Sequence, residues 1–116
     1  MQVFWNKCTG DVWCNLLNLN LAHNHFQNME GVYIIWHGGA NPATVYVGQG
    51  AVAERLQAHK TNPQILAYSS HGLFVTWARV DAASRGGVEC FLAERLNPRV
   101  GAAHPQVQPI AVNLPW

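Results

Sequence analysis

Two short runs of β-branched and aromatic residues, Val32 to Trp36 and Thr44 to Val47, flank the turn-forming stretch His37-Gly38-Gly39-Ala40-Asn41-Pro42. That arrangement leaves few alternatives to a β-hairpin. Side chains alternate across a strand, so Val32, Ile34 and Trp36 are expected on one face and Tyr33 and Ile35 on the other, with Tyr46 opposing Val45 and Val47. Two phenols can then share one face of a small sheet, each with a glycine close by. Taken alone, half-buried sheet tyrosines explain the pair better than a functional role does.

The rest of the chain supplies partners for the hairpin. Ala51 to Lys60 holds strong helix formers with no breaker until Pro63, which predicts a helix of about three turns. Arg55 and His59, four apart, share a face of it, and Val52 and Leu56 form an adjacent apolar stripe. Gly72 to Val80 reads as a third strand. Asp81 to Gly87 reads as a flexible connection, and Val88 to Leu96 as a second long helix closed by Asn97-Pro98, with Glu89 at its beginning. Residues 1–30 are expected to form an extension packed on the core, with an early strand or two and a short helical turn. From Ala102 the tail carries Pro105, Pro109 and Pro115 and should run extended, with Ile110 to Leu114 a candidate edge strand.

At 116 residues, 49% of them hydrophobic, the chain has enough for one core and too little for two. No apolar run approaches the roughly 20 residues of a membrane span, and the first eight residues lack the apolar centre of a signal peptide. A cytoplasmic protein with no membrane partner is the expectation. The odd count of cysteines, Cys8, Cys14 and Cys90, is taken to fit a reducing compartment. Cys8, Cys14, His23 and His25 invite a zinc reading, but their spacing matches no finger or ribbon, and packed or surface residues are favoured. A net charge of +1 argues against strong unaided binding to nucleic acid, although six of the seven Lys and Arg residues follow the hairpin and leave room for a local basic cleft.

One series of residues narrows the function further. Gly31-Val32-Tyr33, Tyr46-Val47-Gly48, Arg55 with His59, and Glu89 nine residues ahead of Pro98 occur in this order, and over residues 31–101 the chain resembles the GIY-YIG nuclease domain. The resemblance implies an α+β fold with a small antiparallel three-stranded sheet flanked by helices, and one site that cuts phosphodiester bonds with a single divalent cation, Mg²⁺ or Mn²⁺. It assigns Tyr33 and Tyr46 to the two motif tyrosines, Arg55 to the arginine of the first helix, His59 to the position a turn later, and Glu89 to the metal ligand. Gln49 falls where relatives carry Lys or Gln, so Gln49, Arg55 and Lys60 are expected to contact substrate. Two departures stand out: Gly101 occupies a place where relatives commonly have asparagine, and the interval from Tyr46 to Arg55 is one residue shorter than in the repair nucleases.

These residue types suit the reaction. Water attacking phosphorus builds negative charge that a hard cation and a fixed guanidinium both stabilise. A planar arginine fork braces phosphate in a way lysine does not, and magnesium keeps most of its water when one carboxylate holds it. A phenol with its ordinary pKa near 10 is a poor base at neutral pH. Tyr33 is therefore expected to act as base or water-orienting group only with help from the metal and Arg55, with Tyr46 and His59 positioning water and phosphate. Glu54, Glu94 and His37 are further candidates that no spacing selects, so surface roles are favoured for them. The expected substrate is nucleic acid, DNA first, with a homodimer or a protein partner supplying targeting. The competing expectation is a non-catalytic nucleic-acid or protein-binding module on the same fold.

Overall fold

The computed structural model describes residues 1–101 and 103–116; Ala102, where the tail was expected to begin, lies outside the described residues. The chain forms an α+β domain whose elements are β1 (Cys14–Asn15), β2 (Glu30–His37), β3 (Ala43–Ala51), α1 (Val52–His59), α2 (Pro63–Leu66), β4 (Leu73–Arg79) and α3 (Ala82–Leu96). The sheet has four antiparallel strands in the order β1-β4-β2-β3, not three, because the two-residue β1 pairs Cys14 with Val75 at the outer side of β4. This short strand carries no sequence period that could have announced it.

β2 and β3 make the expected hairpin, in register from Glu30 opposite Ala51 to Ile35 opposite Tyr46. A shift between Ile35 and Trp36 then brings Trp36 opposite Thr44. Such a bulge adds a residue to one strand and re-aims side chains. Strict alternation would have sent Val45 away from Tyr46; instead both pack with Tyr33 and Ile35.

The sheet is covered on both faces. On one, Tyr33, Ile35, Val75 and Trp77 meet Val52 and Leu56 of α1, Ile65 of α2, and Leu16 and Phe26 of the leading segment. On the other, Val32, Ile34, Val47 and Ala78 meet Val88 and Leu92 of α3, with Trp5 and Val112 from the two ends of the chain. The stretch Asp81–Gly87 is helix rather than loop. Asp81 caps α3 by accepting hydrogen bonds from the Ser84 N–H (3.2 Å) and Ser84 Oγ (3.1 Å), so the helix begins six residues before the expected start at Val88. The Gly86-Gly87 pair, read as flexibility, is a docking site. A Cβ on Gly87 would lie 2.6 Å from Ile110 Cγ1, and the Ile110 N–H donates to the Gly87 carbonyl at 2.9 Å. At the far end Asn97 adopts φ 50° and its N–H donates to the Ala93 carbonyl, a left-handed cap ahead of Pro98.

Ile110 to Leu114 does not form the expected strand. Its bonds go to the start of the chain through a side chain: Asn113 Oδ1 accepts from the Val3 N–H (2.7 Å) and Asn113 Nδ2 donates to the Val3 carbonyl (3.0 Å), while Trp5 Nε1 donates to the Asn113 carbonyl (2.8 Å). An amide can mimic one rung of a ladder without a second strand.

Cys8 and Cys14 form a disulfide, with Cα atoms 5.2 Å apart. The turn at Gly10 (φ 86°) and Asp11 (φ 57°), closed by pairing of Cys8 with Val12, folds the chain back and brings them together. Cys90 is left free and buried. The odd count therefore hides a bridge, and bridges of this kind persist where surroundings are oxidising. No helix is long and apolar enough to cross a membrane among the described residues.

Candidate active site

Three elements bring the expected residues to one region. Tyr33 lies in the middle of β2, opposite Gly48 of β3. A Cβ at Gly48 would overlap the Tyr33 phenol oxygen, and Tyr33 Cε1 would be 3.0 Å from it. The glycine of the Tyr46-Val47-Gly48 run is thus what lets Tyr33 lie flat across its neighbouring strand. Tyr46 is two pairs along on the same face, and the two rings stack with centroids 6.1 Å apart and planes 5° apart.

His59 closes this group from the last turn of α1. Its Nε2 is 2.7 Å from Tyr33 Oη, and its ring centroid is 4.3 Å from that of Tyr46. His59 is 4% exposed and Tyr33 0%. His59 Nδ1 is buried with no hydrogen-bond partner among the described residues. Burial holds the His59 imidazole far below its ordinary value, at about 4, and the Arg55 guanidinium pushes the same way. One turn earlier on α1, Arg55 is exposed at the rim. The Tyr33 phenol, and after it Tyr46, raises the Arg55 guanidinium above its usual value.

The expectation that Arg55 would make Tyr33 a usable base does not hold in this geometry. Burial raises the Tyr33 pKa well above that of a free phenol, and Arg55, pulling the other way, is the weaker influence; Tyr46 and Glu89 add smaller upward pushes. Tyr33 therefore keeps its proton. Of the two phenols, only Tyr46 is partly exposed.

Glu89 sits in the second turn of α3 and is 7% exposed. Its carboxylate has no Lys or Arg partner among the described residues; Oε2 lies 2.8 Å from His104 Nδ1. That histidine comes from the tail, and sequence reading passed over it. The one signal available was general: a buried carboxylate needs a partner, and nothing near Glu89 in the chain supplies one. Gly101 has φ 80°, and a Cβ there would lie 2.7 Å from Tyr46 Cε2. The Tyr46 ring thus takes the space that an asparagine side chain would need.

The expected substrate contacts are less well gathered. Gln49 faces α3, its Nε2 near Gly86, one turn before Glu89, and not the tyrosines. Lys60 donates to the Leu19 carbonyl at 2.6 Å and so ties down the leading segment. Arg79 bonds the Asn28 carbonyl (3.0 Å) and Arg85 pairs with Glu30 (3.3 Å). Arg99 lines two adjoining cavities, of ≈ 330 and ≈ 300 Å³, that share Gly101, and His104 lines the second. Glu54 and Glu94 are exposed, and His37 stacks on Tyr68 with centroids 5.2 Å apart.

Fold and site together define a four-stranded antiparallel α+β domain with a Tyr-Tyr-His cluster, an arginine at its rim and a lone buried carboxylate nearby. No protein-family model, curated protein or solved structure matches the chain.

If Arg55 is at the rim to meet an anion, its loss should cost function and not folding. Should the site cleave phosphodiesters, as the resemblance implies, Arg55→Ala is expected to reduce that cleavage by about 10²–10³-fold with little change in melting temperature, and Arg55→Lys to recover little of it. The same change should raise the His59 pKa, which proton NMR of the ring reads without reference to activity.

The buried neutral imidazole also sets a pH dependence. An unfolded chain protonates His59 near pH 6.5, and the folded chain not until about pH 4. The contribution is complete above about pH 6.5 and is lost progressively as pH falls toward 4. It is on the order of 2 kcal/mol after allowance for solvent screening. Thermal melts of the wild type and His59→Gln between pH 7.5 and 4.5 should converge as the pH drops.

Proposed function

We propose that the protein is a metal-dependent phosphodiester hydrolase of the GIY-YIG kind acting on nucleic acid, DNA first. The observation that carries this reading is the joining of Tyr33, Tyr46 and His59, from β2, β3 and α1, into one packed cluster with Arg55 at its edge. A sheet needs no such set for packing alone.

The donor set fits one hard divalent cation. Glu89 is a buried carboxylate whose only side-chain partner among the described residues is the His104 ring, with no Lys or Arg beside it, and among those residues no group of three or more His, Cys, Asp or Glu could hold a metal by itself. A single carboxylate with water and phosphate completing the shell suits Mg²⁺ or Mn²⁺. Such an ion, when bound, supplies Lewis-acid stabilisation of the developing charge. Arg55 braces the phosphate from the solvent side. Tyr46, the partly exposed phenol, orients the attacking water. Tyr33 and His59 are positioning residues: both neutral at pH 7, they hold Tyr46 between them, Tyr33 by stacking and His59 by a tilted ring contact, and fix each other through the 2.7 Å bond. The base role first considered for Tyr33 passes, in this reading, to water or to a group on the substrate.

A second reading, a binding module that has kept the fold, is favoured by the His104 ring on Glu89 and by the near-neutral charge. Incubating supercoiled plasmid and branched DNA with Mg²⁺ or Mn²⁺ separates the two. Nicking that disappears in Arg55→Ala and Glu89→Gln, with far-UV circular dichroism unchanged, supports the hydrolase. Binding without nicking in both metals would sink it. A cytoplasmic location belongs to this proposal too, and the Cys8–Cys14 bridge weighs against it.

A further inference from the structure

We propose that His104 is a second protein ligand of the divalent cation at Glu89, and that its imidazole makes the site select Mn²⁺ over Mg²⁺. This inference rests on the metal-site reading above.

Two donors at right angles around an octahedral ion, each about 2.1 Å from it, are themselves about 3.0 Å apart. Glu89 Oε2 and His104 Nδ1 are 2.8 Å apart. An ion enters between them with a displacement of a few tenths of an ångström once the ring proton has moved from Nδ1 to Nε2, so that two coordinate bonds replace the hydrogen bond.

His104 is not near Glu89 by accident of a loose tail. It precedes Pro105, which restricts its backbone to extended conformations. Pro105 Cβ lies 3.7 Å from where a Gly86 Cβ would be, and Ile110 is bonded to Gly87, so the chain beyond His104 is pinned along the helix that carries Glu89. His104 is thereby held in place from its C-terminal side.

A purely structural histidine does not account for the pair. His104 Nε2 is buried and has no hydrogen-bond partner among the described residues, a deficit that packed polar groups rarely carry. The ≈ 300 Å³ cavity that His104 lines with Ala93, Asn97 and Arg99 has room for several waters. Mn²⁺ is the weakest binder of the first-row divalent ions but is softer than Mg²⁺ and accepts an imidazole nitrogen more readily, so this second donor shifts selectivity between the two without excluding Mg²⁺ from the carboxylate.

The test is Mn²⁺ binding to the full chain, followed by electron paramagnetic resonance of free Mn²⁺, with Mg²⁺ affinity taken from competition. Wild type, His104→Ala, His104→Gln and Glu89→Gln are compared, each checked by circular dichroism. The expected result is a Kd for Mn²⁺ raised about tenfold or more in both His104 variants, with Mg²⁺ affinity changed less than threefold. In the wild type alone, Mn²⁺ should broaden the His104 ring-proton signals at sub-stoichiometric amounts, a readout that survives even if the variants fold poorly. If Mn²⁺ affinity is unchanged or tighter without His104, yet still lost in Glu89→Gln, His104 is no ligand and the hydrolase reading stands. If Mn²⁺ fails to bind, or binds Glu89→Gln as well as wild type, the proposal and the metal site fall together.

Discussion

In the proposed hydrolase, Glu89→Gln is expected to lower metal-dependent cleavage by on the order of 10³-fold while leaving the fold in place. Glutamine has the same shape, and its carbonyl can still accept from His104 Nδ1, so the buried pair keeps its hydrogen bond. What it loses is the negative charge, and with it the hold on a divalent ion. A large fall in kcat at saturating substrate, with a melting temperature within a few degrees of wild type, is the anticipated pattern. Full activity in this variant would remove Glu89 from the chemistry altogether.

Gly48→Ala should produce the largest effect on stability, about 2–4 kcal/mol. The new methyl would overlap the Tyr33 phenol oxygen, and Tyr33, fully enclosed between its strand and α1, has no free space into which to retreat. The neighbouring strands cannot separate without breaking the hairpin ladder on which Tyr46 depends. A fall of roughly 10 °C in melting temperature follows for a domain of this size. The cause can be isolated with a double-mutant cycle: in a Tyr33→Leu background the same Gly48→Ala change should cost far less. Additive costs would mean that the glycine serves the backbone and not the ring.

Hairpin, first helix and third long strand were legible because each rests on local physics: β-branched runs about a turn, helix formers up to a proline, a period of two. Asp81 to Gly87 misled for the opposite reason. Two adjacent glycines lower helix propensity by about 1 kcal/mol each, and what outweighs that is the Asp81 cap at one end and Ile110 seated on Gly87 at the other. The second contact joins residues 23 apart, beyond the reach of any local window.

Within the site, residue types and order along the chain pointed to Tyr33, Tyr46, Arg55, His59 and Glu89; the structure packs Tyr33, Tyr46 and His59 together with Arg55 beside them, while Glu89 is carried by α3, which covers the other face of the sheet. Their protonation was not legible. Whether a phenol gives up its proton is a contest between burial and a nearby cation, and depth of burial exists only once the chain has packed; here enclosure outweighs Arg55, so the partly exposed Tyr46 rather than Tyr33 faces water. His104 belongs to the same class. Fifteen residues separate it from Glu89, and only the pinning of the tail along α3 brings the ring to the carboxylate.

The sequence by itself determined which side chains could do chemistry and which segments had to be strand or helix, since those follow from covalent structure and neighbours a few residues away. Tertiary structure alone decided the fourth strand, the Cys8–Cys14 bridge, the face on which Val45 and Tyr46 meet, and the partner of Glu89. Each of these depends on distance through space and on exclusion of water, and neither is defined until the two faces of the sheet are covered.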